Sequence, residues 1–224
     1  MHNQLLSKAA WLYLPLISFA LCLMLEFSLP PQYYGYFVNE NGILETAQPV
    51  IIALGAVLAF LNLRKYNIKN SPMLFGWFAL ALLGCIYIAG EEISWGQQIF
   101  KWETPQGWLE INDQQETNLH NTSSWLDQKP RLIIEIGVIF GGLILPLIRK
   151  FKSEIIPTWS LPILPPVSLW VCASCFLIAK LSDKVGDFFD VHMFRRASEV
   201  TELYMLLFIT LYLFAKLKEC SAEE

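Results

Sequence analysis

The residues of this chain best suited to chemistry are carboxylates placed where a lipid-facing charge is costly. The run Gly90-Glu91-Glu92-Ile93-Ser94-Trp95-Gly96-Gln97-Gln98 directly follows the apolar stretch 73–90. A charge near the centre of a membrane helix costs about 2.5–3.5 kcal/mol on insertion scales, so both glutamates must face protein, water or an ion. On a continuous helix Glu91, Trp95 and Gln98 share one face, and Glu92 points about 100° away toward a second neighbour. Acids held in this way can serve as general bases for water.

Two further constellations supply partners. In Asn112-Asp113-Gln114-Gln115-Glu116-Thr117-Asn118-Leu119-His120-Asn121, Glu116 and His120 are spaced i, i+4. On a helix that spacing joins a carboxylate to an imidazole, as metal ligands or as an acid–base pair. The second precedes and enters the last apolar segment, where His192, Arg196, Glu199 and Glu202 form a stripe at helical spacing. Arg196 with Glu199 reads equally as an internal ion pair closing a bundle. Glu135, one turn into another apolar segment, adds a further helix to the set.

These positions give an expected pocket of carboxylates, His and Arg. Glu91, Glu92, His120, His192 and Arg196 are its catalytic candidates, and Trp95, Gln98, Asn112, Asn121 and Glu135 its substrate-binding candidates. Glu116, His120, Glu199 and Glu202 are its metal-ligand candidates. Mixed Glu/His ligation suits a divalent Zn, Mn or Fe better than Ca.

The elements that must position these residues are membrane helices. The 224 residues are 54% hydrophobic and only 16% charged, where a soluble domain carries about a quarter charged residues. The expected fold is all-α, a single polytopic bundle of about six spans at 9–29, 47–64, 72–99, 132–149, 161–181 and 197–216. Each is near the ~20 residues that cross a ~30 Å core. The longest connection, 100–131, is expected to carry a short interfacial helix, with Thr104 as N-cap, Pro105 at its first position and a run through Trp108 to Ile111. Cys172 and Cys175 form C-x-x-C inside an apolar helix and read as small packing residues.

With the N-terminus cytoplasmic, Lys and Arg favour the inner segments slightly. Of the 20 acids, only Glu154, Glu219, Glu223 and Glu224 then fall inside. The net charge of −4 and the lack of a basic stripe give no nucleic-acid partner. The partners implied are the lipid bilayer and a lipid-linked or peptide substrate.

The run GEEISWGQQIF at 90–100, ETP at 103–105 and N-x-Q-x-E-x-N-L-H-N at 112–121 resembles the signature of a family of uncharacterised bacterial inner-membrane proteins. That resemblance implies a bacterial inner-membrane setting and brings no activity. Glu91-Glu92 followed by two His-bearing elements is also similar to the glutamate-type intramembrane proteases of the CPBP family, whose first motif is E-E-x-x-x-R. In that likeness His120 and His192 are loose counterparts of the later His. Gly96 stands in place of the motif's Arg, Glu116 in place of a Phe and Arg196 in place of an Asn.

Three function classes follow. The first is a membrane-embedded hydrolase or transferase at the outer leaflet, with Glu91 or Glu92 as base, His120 or His192 as acid or metal ligand, and Arg196 as an anion clamp. The second is a non-catalytic binding or sensor module whose ion pairs are glue. The third is a cation transporter or channel, disfavoured because the inner halves of the spans offer little besides Asn62 and Thr210.

Overall fold

The computed structural model describes residues 6–30, 32–33, 42–112, 114–189 and 192–222. Within these, the side chains of His120, Ser124, Asp127, Asp187 and residues 220–222 lie outside the description. Among the described residues, six long helices follow one another. They are α1 (Leu14–Ser28), α2 (Ile43–Leu63), α3 (Pro72–Glu92), α4 (Ser124–Ile139), α5 (Trp170–Phe189) and α6 (Ala197–Ala222). A π-helical turn, Ala9–Tyr13, leads into α1, and α4 runs through another, Phe140–Ile144, into Leu145–Phe151.

Among the described residues, five stretches are long and apolar enough to cross a membrane: Ala9–Ser28, Ile43–Leu63, Pro72–Glu92, Gln128–Phe151 and Ala197–Glu219. The protein is a polytopic all-α membrane bundle. Intrahelical bonding of the backbone is what a hydrocarbon solvent demands. The expected span 161–181 takes a different form, because Pro157, Pro162, Pro165 and Pro166 remove backbone donors. Turns at Thr158–Ile163 and Val167–Leu169 fill that stretch, and α5 starts only at Trp170. Its second half carries Lys180, Asp183 and Lys184.

Helix α6 is the axis of the bundle. It packs against α2 and α5, and Val200, Tyr204, Met205, Phe208, Leu213 and Ala215 are buried along it. Lipid offers no hydrophobic force between helices, so close packing and interhelical hydrogen bonds hold them. At Gly142 a Cβ would overlap the Ala173 methyl on α5 and crowd Phe208 on α6, so only glycine lets α4 approach so closely. The buried Asn62 amide bonds the Leu213 carbonyl at 2.9 Å, tying α2 to α6. Tyr204 OH donates to the Pro15 carbonyl at 2.9 Å, tying α6 to α1. Antiparallel neighbours then bring the start of α2, the end of α3, the start of α4 and the start of α6 to one end of the bundle.

Candidate functional site

Two polar regions meet at that end. The first is built where α3 stops. Ser94, Trp95 and Gly96 have φ of 48°, 54° and 103°, three consecutive residues in the left-handed region. For Ser and Trp this conformation costs on the order of 1–3 kcal/mol each, so surrounding contacts must enforce it. The turn folds the Trp95 ring back over Gly90, where a Cβ would come within 2.8 Å of the indole.

The enforcing contacts come from residues 112 and 114–119, which lie over the turn. Asn112 is buried and uses all four hydrogen-bonding positions of its amide. Its oxygen accepts from the Gln114 and Glu116 backbone N–H groups, and its nitrogen donates to the Asn118 carbonyl and side-chain oxygens. Asn118 donates to Ser94 Oγ at 3.1 Å and to Glu116 Oε2 at 2.8 Å, and Ser94 Oγ donates to that same carboxylate oxygen. Thr117 donates its hydroxyl to the Ser94 carbonyl at 2.8 Å, and its backbone N–H donates to Gln97 Oε1 at 2.7 Å. Gln97 in turn donates to Thr104 Oγ1, and Thr104 donates to the Gln115 carbonyl.

Glu91 is part of this knot. Its two carboxylate oxygens accept from the Trp95 indole N–H at 2.6 Å and from the Leu119 backbone N–H at 2.7 Å. Buried polar groups left unpaired cost more than paired ones gain, so the net effect is rigidity of the turn and loop.

The second region is a ring of charges on α2, α3, α4, α5 and α6. Glu135 pairs with Lys180 at 2.6 Å and with Arg131 at 3.6 Å. Arg131 also pairs with Glu202 and donates to Thr201 Oγ1 at 3.1 Å. Arg196 pairs with Glu199 at 3.4 Å, and the buried Gln48 amide donates to the Glu199 carboxylate and backbone carbonyl. Glu92 stands among these groups, half-buried and within electrostatic reach of Glu202, Glu199, Glu45 and Arg131. Among the described residues, no hydrogen bond or ion pair reaches its carboxylate.

The expected site residues therefore divide. Glu92, Glu135, Arg196, Glu199 and Glu202 stand on the charged ring. Glu91, Trp95, Gln98, Asn112 and Glu116 belong to the knot, with Gln98 donating weakly to Glu116 Oε1 at 3.5 Å. Asn121 lies at its margin, bonding Gln114 at 2.6 Å. His192 is exposed before α6, and the His120 side chain lies outside the described residues.

Several local expectations change for physical reasons. The helix expected to reach residue 99 ends at Glu92, because the left-handed turn intervenes, so Gln98 leaves the face of Glu91. Glu116 sits in non-helical chain, which removes the i, i+4 argument for pairing it with His120. His192 precedes the first turn of α6 and stands off the stripe of Glu199 and Glu202. The short helix is Gln106–Leu109, starting after Pro105, while Thr104 is spent on the knot. Among the described residues, no three His, Cys, Asp or Glu side chains converge as a metal site.

Glu45, Gln48 and Lys180 join the ring without having been singled out from the sequence. The spacing of Glu45 and Gln48, one turn apart at the start of an apolar helix, was the available signal. Lys180, deep in an apolar segment, was another. Compared with known proteins, the chain matches no family model, no curated protein and no solved structure.

Proposed function

We propose that the charged ring is the acid–base site of a membrane-embedded hydrolase or transferase acting at the outer leaflet on a lipid-linked or peptide substrate. The observation that carries this reading is the division of labour between two adjacent acids. Glu91 has both oxygens committed to the knot, whereas Glu92 has neither committed and faces the ring. Glu92 is the general base and Glu91 a positioning residue.

In the step proposed, Glu92 takes a proton from water, or from an acceptor hydroxyl, as that oxygen bonds the electrophilic carbon or phosphorus of the substrate. The bond to the leaving group breaks, and the proton passes from Glu92 to the leaving atom. Arg131 and Arg196 lie beside the site and offset negative charge developing on the substrate. The bacterial inner-membrane setting, with cytoplasmic termini and this end of the bundle outside, belongs to the same proposal and is supported by the skew of acids toward one side.

The test is turnover of lipid and peptide mixtures by the protein in liposomes, followed by mass spectrometry of the products. Glu92→Gln is expected to lower product formation by at least 10²-fold, the scale of a lost general base, with the helical circular dichroism unchanged. Full turnover by a folded Glu92→Gln protein rejects the reading. Metal content of the same preparation tests the Zn, Mn or Fe expectation.

A further inference from the structure

Two hollows open on either side of Gln98, and their chemistry differs. The first, about 390 Å³, is lined by Gln98, Lys101, Trp102, Gln114, Gln115 and Glu116. Amides and a carboxylate offer paired donors and acceptors over short distances, which matches neighbouring hydroxyls. The Trp102 indole, stacked on Phe100 and 41% exposed, offers an apolar wall with a polar edge. Lys101 is the lone cation in this lining, and Glu116 opposes it. The cleft therefore suits an uncharged polyhydroxyl ring better than an anion.

The second hollow, about 420 Å³, runs between α2 and the turn after α3. Glu45, Thr46 and Gln98 form its polar part, while Val50, Ala53, Ile93 and Ile99 form apolar walls. Val50, on an apolar membrane-crossing helix, and Ile99, beyond the end of α3, are both exposed. Both hollows fall in the size range of ligand sites. Glu45 walls the groove and also stands within reach of Glu92, and Ile93 follows Glu92 directly.

We infer that the two hollows form one site for a glycosylated lipid, its sugar in the amide-rich cleft and its hydrocarbon chain in the groove. This inference rests on the acid–base reading for its relevance to turnover, and it adds the substrate class. The lipid's glycosidic linkage then lies beside Gln98, on the side of the ring. Charge decides the kind of linkage. Of the charged groups lining the two hollows, Glu45 and Glu116 are acids and Lys101 is the cation, so a neutral glycosidic oxygen is accommodated there more readily than a phosphate.

The test uses the full chain in phosphatidylcholine nanodiscs doped with a glucosyl diacylglycerol that carries a diazirine in one acyl chain. Diacylglycerol and phosphatidylglycerol with the same chain are the comparison probes, and adducts are mapped by mass spectrometry. The glucosyl lipid is expected to label residues 45–53 and 93–99 about tenfold more than either comparison probe, the weight of one to two net hydrogen bonds. Gln115→Gly, which suits the positive φ of 58° at that position, and Trp102→Ala should each bring glucosyl-lipid labelling down toward the diacylglycerol level. Ala53→Trp should block the groove for all three probes.

Glu92→Gln keeps the labelling, since it touches neither the cleft nor the groove wall. A glucosyl lipid that labels no better than diacylglycerol overturns the inference, as does equal labelling by phosphatidylglycerol or adducts spread evenly over the lipid-facing helices. Expected labelling together with full turnover by Glu92→Gln overturns the acid–base reading while the binding site stands.

Discussion

The knot around Ser94 and the ring around Glu92 lie next to each other, contain the same kinds of residue, and are built on opposite rules. In the knot, polar side chains answer one another: Asn112 fills every position of its amide, and Glu91 accepts at both oxygens. Among the described residues of the ring, the acids Glu45, Glu92, Glu135, Glu199 and Glu202 stand with the bases Arg131, Lys180 and Arg196, and no hydrogen bond or ion pair reaches Glu92. A saturated network fixes geometry at its buried centre, and only its exposed margin is left for a ligand. An incompletely neutralised one is held less tightly by itself and has capacity for a partner. The boundary between the two rules passes between consecutive residues, Glu91 and Glu92.

The largest effect that tests this contrast is expected at the neutralised part of the ring. Glu135→Leu leaves Lys180 and Arg131 without their buried acid. Breaking a buried pair costs about 3–5 kcal/mol, and about 2–3 kcal/mol is expected here because both cations are partly exposed. Thermal unfolding in detergent measures it, with Glu135→Gln as the milder control. A Glu135→Leu protein as stable as the parent would show that the ion pairs hold nothing together.

A smaller loss is expected in the knot. Asn118→Leu strips partners from Ser94, Glu116 and the Asn112 amide. Leaving buried groups unpaired costs about 1–3 kcal/mol. Amide hydrogen exchange should quicken across residues 112–119, while α1 and α6 keep their protection. Unchanged exchange in that loop would mean that something other than these hydrogen bonds holds it.

The bundle was legible in the sequence because membrane helices are written in long apolar runs, and α2, α3 and α6 fall close to where hydropathy puts them. Charge position also marked one end of the bundle as special, since an acid such as Glu135 in an apolar helix has few tolerable places. What hydropathy does not encode is a backbone reversal held by polar side chains. Ser94 and Trp95 are not residues that announce a left-handed conformation, and the turn exists because Thr117 and Asn118, more than twenty positions away, bond to Ser94. A helical reading of 91–98 therefore fails at Ile93. It was also a helical reading that paired Glu116 with His120, and the same loop turns Glu116 inward to Ser94. Long-range pairing of Arg131 with Glu202 and of Lys180 with Glu135 was equally beyond local spacing, because each pair joins two helices.

The sharpest comparison is between the adjacent glutamates themselves, and it predicts the smallest change in stability. Glu91→Gln puts an amide nitrogen, a donor, against either the Trp95 indole N–H or the Leu119 N–H, both of which also donate. The mismatch is expected to cost about 1–2 kcal/mol. Glu92→Gln removes no hydrogen bond or ion pair of the described residues. Its effect on unfolding is expected within about 0.5 kcal/mol of zero, as for a substitution that breaks no packing or bonding. A neutral amide that folds as well or better means that folding does not require the Glu92 carboxylate. Equal destabilisation by the two substitutions would mean that Glu92 is bonded in the folded protein as Glu91 is, and the ring would then be glue in the same sense as the knot.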